Sequence, residues 1–117
     1  MYHMFFKCYK LNQLKIDIFD TSKVEDMTGM FEGYNNLISL DLECFNTSNI
    51  KSMSAMFYRC NYLNFLNIKN FDTSQVTIMK NMFKECKKLE SLELKYFDTS
   101  KLEKMEGLFE NCENINN

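Results

Sequence analysis

Residues 37–63 read LISLDLECFNTSNIKSMSAMFYRCNYL, and residues 63–89 read LNFLNIKNFDTSQVTIMKNMFKECKKL. The second run repeats the first at a shift of 26 residues, with no insertion. Phe19-Asp20-Thr21-Ser22 recurs as Phe45-Asn46-Thr47-Ser48, Phe71-Asp72-Thr73-Ser74 and Phe97-Asp98-Thr99-Ser100. Met30-Phe31 recurs as Met56-Phe57, Met82-Phe83 and Leu108-Phe109, and one period earlier as Met4-Phe5. Leu37, Leu40 and Leu42 are matched by Leu11/Leu14/Ile16, Leu63/Leu66/Ile68 and Leu89/Leu92/Leu94. A fixed period of this length marks stacked units, each too small to bury its own apolar face. The chain divides into a half coil, 1–13, and four full coils, 14–39, 40–65, 66–91 and 92–117.

Each coil carries two apolar periods. The Leu-x-x-Leu-x-Leu run ends in alternation, which predicts a strand near 40–43 and copies near 14–17, 66–69 and 92–95. Leu40 and Leu42 then face inward, while Ser39, Asp41 and Glu43 face out. Val24, Met27, Met30 and Phe31 are spaced three and four apart, as are Ile50/Met53/Met56/Phe57, Val76/Met79/Met82/Phe83 and Leu102/Met105/Leu108/Phe109. That spacing predicts short helices near 22–32, 48–58, 74–84 and 100–110, with Lys23, Glu25, Asp26 and Glu32 on the outer face. Asp-Thr-Ser falls at each expected helix start, where such side chains accept unpaired N–H groups. Ser22-x-x-Glu25 and Ser100-x-x-Glu103 fit a capping box, which Lys51 and Thr77 break in the middle coils. Stacking predicts burial of Leu40, Leu66, Phe71, Met79, Met82 and Cys86 in a core continuous along the stack.

Taken together, LxxLxLxxFDTSxVxxMxxMFxxCxxL resembles the BspA-like bacterial surface protein repeat, a divergent relative of the leucine-rich repeats. The match runs over the whole chain; Tyr34 stands in place of the coil cysteine and Asn46 in place of the coil aspartate. The expected fold is therefore an α/β, leucine-rich-repeat-like solenoid of about four and a half 26-residue coils. Short parallel strands would line one side and short helices the other. The resemblance implies a surface-exposed or secreted protein used in adhesion or protein binding, and it carries no catalytic residue across.

Composition narrows the partners. The chain has 117 residues, is 45% hydrophobic and 26% charged, and carries a formal charge of −2, which is the make-up of one globular domain. Lys and Glu are interspersed, so no basic stripe points to nucleic acid and no polybasic patch to a membrane surface. No run approaches the ~20 apolar residues of a membrane span, so no membrane insertion is expected. The first residues, MYHMFFKC, lack the basic and apolar regions of a signal peptide. Because the core columns open at Met1, Met4, Phe5 and Phe6, either a longer array or end-to-end self-association is expected.

Several constellations have a plain structural reading. Cys8, Cys60, Cys86 and Cys112 share one column, with Cys44 elsewhere; none has the close spacing of a metal site, and a buried thiol column is expected. The Asp20/Asn46/Asp72/Asp98 column offers one oxygen-bearing side chain per coil, too few for calcium. The nine methionines fall in the columns expected to face inward. His3, the single histidine, sits in the half coil without a nucleophile arrangement. Neither catalytic residues, metal nor cofactor is expected.

There remains the outward strand face, whose residues change from coil to coil while the inward ones hardly do. Its candidate binding residues are Lys15, Asp17, Asp41, Glu43, Phe65, Asn67, Lys69, Glu93 and Lys95. Phe65 is the one large apolar side chain there, with Tyr62 close in sequence. The expected function is a non-enzymatic binding module that contacts another protein or a host surface ligand. The alternative is an intracellular scaffold or assembly segment on the same repeats.

Overall fold

A computed structural model describes Met4, Ile16 and residues 18–115. Its corners follow from the Asp-Thr-Ser motif. Asp20 Oδ1 accepts the Ser22 N–H at 3.0 Å and the Ser22 hydroxyl at 2.6 Å. Asn46, Asp72 and Asp98 accept from Ser48, Ser74 and Ser100 at 3.1, 2.9 and 2.8 Å. An Asx turn of this kind bends the chain without starting a helix. Between them, Thr21, Thr47 and Thr73 are buried and reach the next coil, while Thr99 is exposed. Thr21 Oγ1 accepts the Asn46 N–H at 2.8 Å and donates to the Asn46 carbonyl at 3.0 Å. Thr47 holds Asp72 in the same way, and Thr73 donates to the Asp98 carbonyl. The expected capping boxes are therefore corrected: Ser22 and Ser100 close turns on Asp20 and Asp98.

The helices expected near 22–32, 48–58, 74–84 and 100–110 do not form. Tight turns replace them, closed by Met30 N–H to the Met27 carbonyl, Glu32 to Gly29 and Tyr34 to Phe31, all at 3.1–3.2 Å. The alternate amides point along the stack. Met27, Gly29, Phe31 and Gly33 donate to the carbonyls of Ser52, Ser54, Met56 and Tyr58 at 2.7–3.0 Å. Met53, Ala55, Phe57 and Arg59 donate onward to Ile78, Lys80, Met82 and Lys84, and Met79, Asn81, Phe83 and Glu85 to Lys104, Glu106, Leu108 and Glu110. To aim every second amide this way, two columns take a left-handed backbone. Gly29, Ala55, Asn81 and Gly107 form one, with φ between 52° and 67°; Gly33, Arg59, Glu85 and Asn111 form the other, between 60° and 70°. A right-handed helix cannot pass through such residues.

On the opposite side lie two strands, β1 (Ser39–Asp41) and β2 (Phe65–Asn67), paired in parallel with Leu40 beside Leu66. They begin one residue before the expected positions. The rung expected near 92–95 is not a strand; Glu90 N–H meets the Asn64 carbonyl at 3.5 Å, and a groove of about 340 Å³ separates Phe65–Lys69 from Ser91 and Glu93. The rung expected near 14–17 lies outside the described residues apart from Ile16, which is buried.

Identical residues stack on one another inside. Phe31, Phe57, Phe83 and Phe109 form a column of near-parallel rings with centroids 5.3–5.6 Å apart. Met27, Met30, Met53, Met56, Met79 and Met82 are buried, together with Leu40, Leu66, Phe71 and Cys86. Two methionines expected inside are not: Met4 is 46% and Met105 56% exposed. Outside, opposite charges meet one coil apart in Lys51–Glu25, Arg59–Glu85, Lys69–Glu43, Lys84–Glu110 and Lys87–Glu113. These exposed pairs add little stability, yet a slipped register would lose all of them.

The α/β solenoid expected from the spacing is thus corrected. Among the described residues there is no helix and there are only two three-residue strands, in a compact body of 32 × 32 × 20 Å. A three-residue turn period imitates the three-and-four spacing of a helix face, and the left-handed residues rule the helix out.

Ala55 separates the two architectures. Its φ of 52° is strained for alanine and free for glycine. Ala55→Gly is expected to raise stability by ~1 kcal/mol, whereas in a helix interior it would cost about as much. Gly107→Ala should cost ~1–2 kcal/mol, since φ is 67° and the added methyl would run into Asn81 Oδ1. Urea unfolding of both variants measures the signs.

Candidate functional site

Alternation along β1 and β2 turns one set of side chains outward. Asp41 is exposed and Asn67 partly so, and Asn67 Nδ2 donates to Asp41 Oδ1 at 2.9 Å and to Glu43 Oε2 at 3.4 Å. Lys69 Nζ reaches the same Glu43 oxygen at 2.9 Å, and that hydrogen bond raises the lysine pKa. One coil on, Glu93 pairs with Lys95 at 2.6 Å, and Lys95 lies 4.8 Å from the centre of the Tyr96 ring. Of the sequence candidates, Asp41, Glu43, Asn67 and Lys69 join in one polar cluster. Glu93 faces them across the groove beside Phe65, and Lys95 adjoins it through Glu93. Lys15 and Asp17 lie outside the described residues.

Phe65 projects outward and is 55% exposed. Two apolar neighbours accompany it: Ile38, 66% exposed, and Tyr62, 60% exposed. Ile38 and Tyr62 line one hollow with Asn35 and Asn36, and the Phe65 N–H bonds the Ile38 carbonyl at 3.3 Å. The three stand exposed on adjoining coils, with Phe65 lining the separate groove it shares with Ser91 and Glu93. Ile38 was not among the sequence candidates. Its column is otherwise polar, Asn64 and Glu90, and that contrast is the signal that identifies it.

The cysteine column is of another kind. Cys60 and Cys86 are buried, Cys112 partly buried and Cys44 exposed. The Cys60, Cys86 and Cys112 thiols donate to the carbonyls of Phe31, Phe57 and Phe83 at 3.2, 3.1 and 2.9 Å. Burial pushes the Cys60 pKa up to about 12 and raises those of Cys86 and Cys112 as well. These sulfurs act as small apolar groups whose one proton is already committed. Among the described residues, no three His, Cys, Asp or Glu side chains gather to hold a metal. Cys8 and His3 lie outside the described residues.

The thiols give an alkaline signature. Above the ordinary value of 9.0 the unfolded chain releases the Cys60 proton while the folded chain keeps it to about 12. Stability is then intact below pH 9 and falls as pH rises, by ~1.4 kcal/mol per unit for this thiol. Cys60→Ala should flatten the alkaline decline by that slope, measured by urea unfolding at successive pH values. In native protein a thiol reagent should label Cys44 quickly and Cys60 and Cys86 slowly. Equal labelling rates would contradict the burial.

No curated protein matches the chain. The family model described as "Mycoplasma protein of unknown function, DUF285" matches residues 1–117, and this family is related to the BspA-like repeats. The chain, over its whole length, belongs to that family.

Proposed function

We propose that this chain is a non-enzymatic binding module of a BspA-like surface protein and that it holds another protein against its strand side. The observation that carries the reading is the exposure of Ile38, Tyr62 and Phe65 on adjoining coils. Large apolar side chains left in water and bordered by polar ones are common anchors of protein interfaces. Asp41, Glu43, Asn67 and Lys69 supply the polar border on one side. Glu93 and Lys95 supply it across the groove.

Selectivity would come from the same columns. Position 41 repeats as Asn67 and Glu93, and position 43 as Lys69 and Lys95, so donors, acceptors and charges differ at each level. The inward columns repeat Leu, Phe and Met with few changes. A scaffold with constant packing can vary this surface without disturbing its core, and the repeated stack uses that freedom.

A random peptide library displayed on phage provides the probe. Selection on the chain should enrich peptides whose binding weakens by ~1–2 kcal/mol in Phe65→Ala, about a tenfold rise in Kd. Unfolding of Phe65→Ala without peptide should stay close to that of the unaltered chain, because the ring lies mostly in water. No enrichment, or peptides that bind the variant equally well, would contradict the reading. A large loss of stability would remove Phe65 as an anchor.

A further inference from the structure

On the turn side, the coil of residues 92–115 is bonded to the one before it at every second residue. Met79, Asn81, Phe83 and Glu85 donate to its carbonyls at 2.8–3.0 Å, and Thr73 reaches the Asp98 carbonyl at the corner. On the strand side the same two coils part. Pairing with β1 uses alternate backbone groups of β2: the Phe65 N–H bonds the Ile38 carbonyl, and the Asn67 carbonyl accepts the Leu42 N–H. Leu66 and Ile68 therefore turn their N–H groups the other way, toward residues 91–95. Among the described residues, neither N–H meets a backbone acceptor there.

The charges account for the parting. Across the closed junction Lys69 meets Glu43, and Asn67 meets Asp41, each at 2.9 Å. Across the open one, Lys69 is followed in its column by Lys95, a like charge, and Glu93 pairs with Lys95 within its own rung. The gap of about 340 Å³ is lined by the inward Leu66 and Ile68 and by the outward Asn67, Lys69 and Glu93, with Phe65 beside them.

We infer, on the basis that the strand side is the binding surface, that this gap receives an extended segment of a partner protein, added to β2 as a parallel strand. Three features select that occupant. Free N–H groups two residues apart suit the carbonyls of a strand, whereas a helix has its carbonyls already bonded. A lining that alternates between apolar and polar residues suits side chains that alternate in the same way. Two lysines in one column favour a carboxylate between them, which Glu43 supplies to Lys69 on the other side of β2. The stretch 37–43, Leu-Ile-Ser-Leu-Asp-Leu-Glu, has the required pattern and already pairs in parallel with the opposite edge of β2.

A synthetic peptide of that sequence, blocked at both ends, is the probe, and amide exchange followed by NMR is the readout. In the free chain the Leu66 and Ile68 amides should exchange faster than the Leu42 amide, which is bonded to Asn67. Peptide should slow both by at least about tenfold and shift the Glu93 signal. A peptide ending in lysine instead of glutamate should bind about tenfold more weakly, and Lys95→Glu should reverse that preference. Leu66 and Ile68 amides as protected as Leu42 in the free chain would mean that the rungs close on each other, which overturns the proposal. So does a peptide that leaves both amides unchanged, or a preference that Lys95→Glu does not reverse. Phage-selected peptides that depend on Phe65 yet leave both amides exchanging would overturn it while sparing the strand-side reading.

Discussion

Every second amide of the segment 27–33, and of its copies, has to find an acceptor outside its own coil. A turn closed between residues three apart satisfies one N–H and leaves the next pointing along the stack. The carbonyl that meets it belongs to the residue 25 positions later, as in Phe31 to Met56 and Phe57 to Met82. Buried amides without partners cost free energy comparable to a lost hydrogen bond, so this pairing fixes the register of the coils. It also demands a left-handed residue in two columns, at a cost of ~1–2 kcal/mol wherever the residue is not glycine. Ala55, Arg59, Asn81 and Glu85 bear that strain because the ladder offsets it.

Once the register is set, each side chain meets its own repeat. That favours residues that pack well on themselves, such as the stacked phenylalanines. It also favours a hydroxyl that both donates and accepts, as Thr21 and Thr47 do. Several charged columns alternate in sign between neighbouring coils: Glu25 under Lys51, Glu43 under Lys69, Arg59 under Glu85. The columns that vary most from coil to coil lie on the strand side, where Phe65 and its polar neighbours stand.

Much of this was legible in the sequence. The 26-residue shift showed which residues share a column, and the Leu-x-Leu alternation put Leu40 and Leu66 inside and Asp41, Phe65 and Asn67 outside. The helices were misread for a physical reason. Turns that close over three residues bury Met27, Met30 and Phe31 at the spacing of a helix face. A contrary signal was present. All three glycines of the chain fall in the two left-handed columns, Gly29 and Gly107 inside the expected helices and Gly33 just past the end of one. Other coils fill those columns with Ala55, Arg59, Asn81, Glu85 and Asn111, which obscured the pattern. Ile38 escaped notice because it adjoins the inward Leu37 and Leu40, and only its column mates Asn64 and Glu90 mark it as external.

The surface reading depends on layers bonded to each other through their backbones. The Phe57 amide decides that point, since its acceptor differs between the two architectures. Scalar coupling across the hydrogen bond, measured by NMR on isotope-labelled chain, identifies the acceptor carbonyl directly. The expected result is coupling from the Phe57 amide to the Met82 carbonyl, 2.9 Å away in the next coil. Coupling to the Met53 carbonyl, the helical partner within the same coil, would contradict the ladder and restore the helix.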